Sequence, residues 1–306
     1  MTTADVLFKQ NCRKIIDEGF SDEGFHVRPK WHDGTPAHTK KILYVSDRYD
    51  LSLEPIPMIT LRKQFFKSAV DEILWIYQKQ TSDLSQLNSK VWNDWNVGDG
   101  TIGKAYGYQI GQLFRHHKCK REDIKELNSG FYGEYNVDDN DFVCLSQMGA
   151  VLWDLKHDPG SRRIMTNTYV HKDLADMGLS PCAYSIQFNV TKNGDDLVLN
   201  AILFQRSQDM LTANGWNVMQ YAALVQMIAH VCGMKCGTFV HSIADCHIYD
   251  RHIPLVEEIL SVDSEHENPG LWINPDIDNF FDFTTNDIKL IDYTYNDWNK
   301  SIEVAV

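Results

Sequence analysis

Asn193-Gly194 stands between two runs, Tyr184–Val190, in which apolar and polar residues strictly alternate, and Leu197–Gln205, which is almost continuously apolar. An Asn-Gly pair tolerates the left-handed backbone of a tight hairpin turn, so the two runs are expected to pair as antiparallel strands. That pairing constrains what lies beyond its far end. A two-residue turn centred on Asn193-Gly194 sets Cys182 opposite Gln205, and a four-residue turn sets it opposite Ser207. Under either register the thiol sits beside Arg206, in the run Gln205-Arg206-Ser207. Cysteine is a nucleophile only as thiolate, and a neighbouring guanidinium favours that form. A buried structural thiol is the plain alternative.

Elsewhere the chain mixes helix and strand periodicities. Residues 4–18 read as a helix, and Ile42–Tyr49 and Ile56–Thr60 as strands. Phe65–Gln78 repeats apolar residues at helical spacing, with Glu72 set on the same stripe between Ala69 and Ile76. A carboxylate buried there favours its protonated form, as a general acid requires; at the edge of the stripe it simply reaches water. Met148–Lys156 is expected to be a short helix ending before Asp158-Pro159-Gly160. Asn217–Cys232 reads as a buried helix closed by Gly233, and Leu271–Val306 as further strands. Residues 116–143 are polar, with glycines and an acidic run, and read as a surface insertion of little regular structure. No repeat or linker divides the chain, so one α/β domain over residues 1–306 is expected.

The formal net charge of -13 disfavours a nucleic-acid or membrane-surface binder, which needs a basic face. No apolar run reaches the ~18 residues of a membrane span. Seven scattered cysteines, an odd number, suit free thiols in a reducing compartment; with no apolar core of signal-peptide length in MTTADVLFKQNCRKI, the cytoplasm is expected. In so acidic a chain, Arg162-Arg163 after Pro159-Gly160-Ser161 is either a solvated turn or a phosphate fork. His230, Cys232, Cys236, His241, Cys246 and His247 cluster in sequence, but their spacing matches no common zinc pattern, and no metal is expected.

Nine segments taken together resemble the thymidylate synthase family: Glu72-Ile73-Leu74-Trp75, Val91–Trp95, Ala105-Tyr106-Gly107, Asp158–Arg163, Leu179–Cys182, Gln205–Met210, Trp216-Asn217-Val218, Asp245–Tyr249 and Glu303–Val306. The terminal segment and the loop Gly34–Thr39 are most similar to a divergent Bacillus and phage branch. The resemblance implies a mixed β-sheet flanked by helices, with sheets packed back to back in a homodimer, and methylation of dUMP with 5,10-methylenetetrahydrofolate as co-substrate. It also implies roles. Cys182 attacks C6 of the base. Arg206 contacts both phosphate and cysteine, and Gln205, Ser207, Arg28 and the partner subunit's Arg162 and Arg163 complete the substrate-binding set. Asn217 reads O4 and N3, and His247 and Tyr249 hold the deoxyribose hydroxyl. Glu72 relays protons to O4 and folate, and Tyr106 helps remove the C5 proton. Trp92, Trp95 and Asp209 line the folate side, Asp209 counting also toward substrate and catalysis, and Val306 closes over it.

Two departures from the family pattern stand out. Ala183 follows the nucleophile where histidine is usual, and Thr212-Ala213-Asn214-Gly215-Trp216 replaces the usual leucine-glycine-x-proline-phenylalanine. A dUMP hydroxymethylase is the near alternative, opposed by Trp92, whose ring excludes water from the exocyclic carbon. Asn217 in place of aspartate speaks for uracil over cytosine. A non-catalytic RNA-binding protein is the distant alternative, opposed by the net charge.

Overall fold

Thr2 caps the first helix, accepting the Asp5 amide hydrogen at 3.0 Å while the Asp5 carboxylate accepts that of Thr2 at 3.2 Å. The computed structural model describes residues 1–306. In chain order it begins α1 (Thr3–Glu18), β1 (Phe20–Ser21), β2 (Thr39–Asp50) and α2 (Phe66–Tyr77). The expected strand at Ile56–Thr60 is absent. Pro55 and Pro57 remove ladder donors, and the segment runs instead as a fully buried loop tied to the α1 cap, through Thr2 Oγ1 to the Met58 carbonyl and the Thr60 amide to Asp5.

Next come α3 (Gly107–Gly111), β3 (Phe114–Lys118), α4 (Arg121–Leu127), β4 (Tyr135–Val137) and β5 (Phe142–Leu145). Residues 116–143 therefore hold more structure than expected: α4, and most of a three-stranded sheet ordered β3-β5-β4. At three to five residues each these strands are too short for periodicity to show them. The chain continues with α5 (Gln147–His157), β6 (Met165–Asn167), β7 (Ala183–Asn193), β8 (Asp196–Gln205) and β9 (Gln208–Asp209). It closes with α6 (Asn214–Cys232), β10 (Lys235–Tyr249), α7 (Ile253–Leu260), β11 (Gly270–Ile273) and β12 (Ile288–Ile291). Gly233, at φ 67°, ends α6 in the left-handed conformation that favours glycine. In the tail only β11 and β12 form strands.

The central sheet is mixed, ordered β1-β2-β10-β8-β7-β6, with β9 also paired to β10. β10 runs parallel to β8 and antiparallel to β2. It was not visible in the sequence, because a histidine occupies a core position in its alternation Phe239, His241, Ile243. α6 packs on α2, β8 and β10, and one cluster of buried apolar side chains joins the central sheet, these helices and the small sheet.

The ladder takes the register expected of the four-residue turn, not that of the Asn-Gly turn, until it nears Cys182. The two-residue turn is Gly194-Asp195, one place later than the Asn-Gly reading, and pairs run from Asn193↔Asp196 to Ser185↔Phe204. A bulge then slips the ladder, so that Ala183 pairs with Gln205. Cys182 consequently lies opposite Arg206 itself, whose amide donates to the Cys182 carbonyl at 3.0 Å.

Candidate active site

Beyond that bulge the strand ends converge on a cavity of ≈ 640 Å³. Arg206 Nη2 donates to Cys182 Sγ at 3.5 Å and to the Ser180 carbonyl at 2.7 Å, while its Nε donates to the Pro181 carbonyl at 3.0 Å. The guanidinium is thus aimed by main-chain oxygens. Tyr106, from the turn before α3, accepts the Cys182 amide hydrogen on its hydroxyl at 2.9 Å. Its backbone, at φ 42°, occupies a region rare for non-glycine residues. Burial raises the Cys182 thiol above its usual range; Arg206 and then Arg28 pull it down without prevailing. The expected activation by Arg206 is therefore present but outweighed, because desolvation of the buried thiolate costs more than the guanidinium returns. Tyr106, buried as well, stays a neutral phenol.

Glu72 lies in the wall of the same cavity, 5% exposed. Burial pushes its carboxyl up to about 7, against the lowering effect of Gln220, Trp92 and Trp216. Gln220 Nε2 donates to Glu72 at 2.9 Å, and Asn217 Nδ2 donates to Gln220 Oε1 at 3.4 Å. Asn217 Oδ1 in turn accepts from Gln205 Nε2 at 3.4 Å. One row of amides therefore links the expected base-reading residue to the expected acid. In the sequence Gln220 is only a polar residue within the largely apolar run of α6, with nothing to tie it to Glu72.

Trp92, Trp95, Tyr106, Asp209, Asn217, Ser207, His247, Tyr249 and Arg28 all line the cavity. His247 Nδ1 bonds Asp245 at 2.8 Å, which leaves the other ring nitrogen without a protein partner, and its ring meets Tyr249 edge-on at 5.2 Å. Asp209 is fastened to the divergent segment: Oδ1 accepts the Leu211 and Thr212 amides at 2.9 and 3.2 Å, and Oδ2 the Thr212 hydroxyl at 2.5 Å. Trp92 packs edge-on against Trp95 and Tyr106 at 5.4 and 5.1 Å. Gly178 lets the Trp95 main chain approach, for a Cβ there would meet the Trp95 oxygen at 2.0 Å.

Three expected residues stand outside the lining. Val304 and Ala305 face the cavity, whereas Val306 pairs with Lys30 through both main-chain groups, at 3.0 and 2.8 Å. Glu303 fixes the near end of this tail by accepting from the His32 amide and Arg251 at 3.0 and 3.2 Å. Arg162 and Arg163 are exposed on the turn after α5 and do not reach the cavity of their own chain. The Cys/His cluster is drawn out along α6 and β10 to separate partners: His230 to the Ile277 carbonyl, Cys236 to Gln226, His241 to Gln205.

A thiol and a guanidinium side by side in a deep cavity, with a buried acid and two tryptophans in its lining, have the make-up of an enzyme active site. A family model described as thymidylate synthase matches residues 7–306, and the chain belongs to that family, whose members are methyltransferases. It is 40% identical to thymidylate synthase of Bacillus licheniformis and 38% identical to that of Bacillus phage phi3T, with all of both chains covered in each case. Its fold is similar to that of a thermostable thymidylate synthase A from Bacillus subtilis, with TM-score 0.83, 36% identity and 99% of each chain covered.

Proposed function

We propose that this chain converts dUMP and 5,10-methylenetetrahydrofolate to dTMP and dihydrofolate. The observation that carries this reading is Cys182 Sγ held 3.5 Å from a main-chain-oriented Arg206, in one cavity with Glu72 and Asn217. Cys182 adds to C6 of the base, which makes C5 nucleophilic. Arg206, Ser207 and Arg28 gather the phosphate, Asn217 presents one acceptor and one donor to N3–H and O4, and His247 and Tyr249 take the deoxyribose hydroxyl. Glu72, held near neutrality by burial, exchanges protons at O4. Tyr106, a neutral phenol hydrogen-bonded to the Cys182 amide, positions the group that removes the C5 proton and does not act as phenolate.

The folate side fits an aromatic, partly apolar ligand: Trp92, Trp95, Ile76, Val91 and Val304 surround it, and Asp209 supplies the polar contact. Methylenetetrahydrofolate, when bound there, supplies the one-carbon unit and the hydride. Trp92 shields the reacting carbon from water, which favours a methyl over a hydroxymethyl product.

The single domain works as a homodimer in the cytoplasm, where its seven free thiols stay reduced. Arg162 and Arg163, exposed and outside their own cavity, serve the partner's phosphate site across a two-fold axis. Mixing inactive Cys182→Ala with inactive Arg162→Ala/Arg163→Ala chains should restore about a quarter of wild-type activity after random exchange, as one site per mixed dimer is intact. No recovery after verified exchange means that the arginines act in cis. The overall reading is tested by mass spectrometry of the nucleotide formed from dUMP and methylenetetrahydrofolate. A methyl group is expected; a hydroxymethyl group or unchanged dUMP overturns the assignment.

A further inference from the structure

His241 sits in the middle of β10, fully buried, on the core face between Phe239 and Ile243. Its Nε2 is hydrogen-bonded to Gln205 Oε1, and its Nδ1 has no partner. Asp47, opposite it on β2, takes a hydrogen bond from Asn11 at 2.8 Å and makes none with the ring. Gln205 Oε1 can only accept, so Nε2 carries the ring proton and Nδ1 the bare lone pair. Burial, which pushes the imidazole down to about 3, leaves that one proton as its only one.

From this donor every following hydrogen bond points the same way. Gln205 Nε2 donates to Asn217 Oδ1, Asn217 Nδ2 donates to Gln220 Oε1, and Gln220 Nε2 donates to Glu72. The spare N–H groups of the two glutamines reach the Ser207 and Ala69 carbonyls at 3.3 and 3.4 Å, long contacts that support the same sense. Reversing the row would require a proton on His241 Nδ1, a flip of three amides and a protonated Glu72 facing Gln220.

We propose that His241 is a positioning residue for base selection: by donating to Gln205 it holds the Asn217 amide in the one orientation that suits uracil and excludes cytosine. The inference rests on the reading that Asn217 faces the base, with Glu72 on the O4 side. In the observed orientation Asn217 Oδ1 is on the Gln205 side and keeps a second lone pair for uracil N3–H, while Nδ2 is on the Gln220 side, which leads to Glu72, and keeps a second N–H for O4. Half a turn of the amide exchanges the two. It then offers a donor to a bare N3 and an acceptor to a 4-amino group, the pattern of cytosine. An asparagine free to turn would read both bases, so discrimination depends on what pins it.

The test measures affinities of dUMP and dCMP by calorimetry, without folate, for wild type, His241→Phe and His241→Gln. Wild type should prefer dUMP. His241→Phe keeps a ring in the core but loses the donor, and should lower the dUMP-to-dCMP preference about fivefold, chiefly by weakening dUMP. His241→Gln, which retains an N–H donor, should keep most of the preference. Equal losses for both nucleotides in His241→Phe, or an unmoved ratio, overturn the role of His241 while leaving the dUMP assignment standing. A wild type with no preference for dUMP overturns the functional reading as well. If His241→Phe does not fold, ring 15N shifts of His241 in the wild type decide: a proton on Nε2 supports the proposal, and a proton on Nδ1 overturns it.

Discussion

The two walls of the cavity are built by different means. On the nucleophile side, Cys182 and Arg206 hang from paired strands, and four contacts with main-chain groups fix them: the Cys182 amide to Tyr106, the Arg206 amide to the Cys182 carbonyl, and the guanidinium to Ser180 and Pro181. On the opposite side Val91, Trp92 and Trp95 belong to a loop and a single helical turn, Thr212 and Ala213 to the lead-in of α6, and Val304 and Ala305 to the tail. Apart from the Val306–Lys30 main-chain pair that anchors the tail, that wall is held by edge-on aromatic contacts and side-chain hydrogen bonds, and Val91 and Val304 are half-exposed. Main-chain contacts constrain atoms whatever the neighbouring side chains are; aromatic packing tolerates substitution. The departure at Thr212–Trp216 falls on the tolerant side, while the Cys182–Arg206 wall departs from the family pattern only at Ala183.

Variants on the two walls should grade accordingly. Cys182→Ser should lower turnover by at least ~10³-fold and abolish the covalent adduct with 5-fluoro-dUMP by mass spectrometry, with dUMP binding still measurable. An active serine variant would remove the nucleophile wall from the argument. Tyr106→Phe strands the buried Cys182 amide, and should cost about 1–3 kcal/mol in denaturant unfolding and lower kcat roughly tenfold or more. Unchanged kcat would mean that the main-chain clamp does not place the thiol.

Glu72 sits where the two walls meet and gives a pH signature. Its pKa rises from 4.5 to about 7 on folding, so the folded state binds the proton more tightly. Its contribution is fully present below about 4.5 and is lost as pH rises through 7, roughly 3 kcal/mol in all. Asp47, raised to about 6, adds the same sign over a lower window. Glu72→Gln should flatten the fall between pH 5 and 8 measured by chemical denaturation, while removing most activity; an unaltered stability profile would mean that the carboxyl is solvated. On the tolerant wall, Thr212→Val removes one hydrogen bond to Asp209 but leaves the two amides. The folate KM should move by about threefold or less, with kcat unchanged. A collapse in kcat there would erase the distinction between the walls.

Much of the rigid wall is legible in the sequence. Strand alternation has a period of two, so counting back from the turn brought Cys182 to Arg206 even with the turn misplaced by one residue. Glu72 showed itself as a charge on an apolar stripe, and Gly233 marked the end of α6. Hidden features share a cause: their determinants are not periodic. The slip at Tyr184 has no composition signal, the buried loop at Ile56–Thr60 presents strand-like residues whose prolines forbid a ladder, and β10 disguised its core face with a histidine. The Gln205–Asn217–Gln220–Glu72 row joins β8, α6 and α2, and only their packing brings it together.

The slip at Tyr184 bears on which insertions and deletions a lineage survives. Downstream of it, the hairpin tip at Gly194-Asp195 is exposed, and adding a pair of residues there lengthens both strands without disturbing which residue meets Arg206. Pairing Tyr184 with Gln205 in place of the bulge would hand the place opposite Arg206 to Ala183, leaving an intact hairpin with no nucleophile, whereas loss of Tyr184 would straighten the ladder and keep Cys182 there. Tolerance to change of length along this strand is therefore set by whether Cys182 keeps its place opposite Arg206, not by whether the hairpin survives.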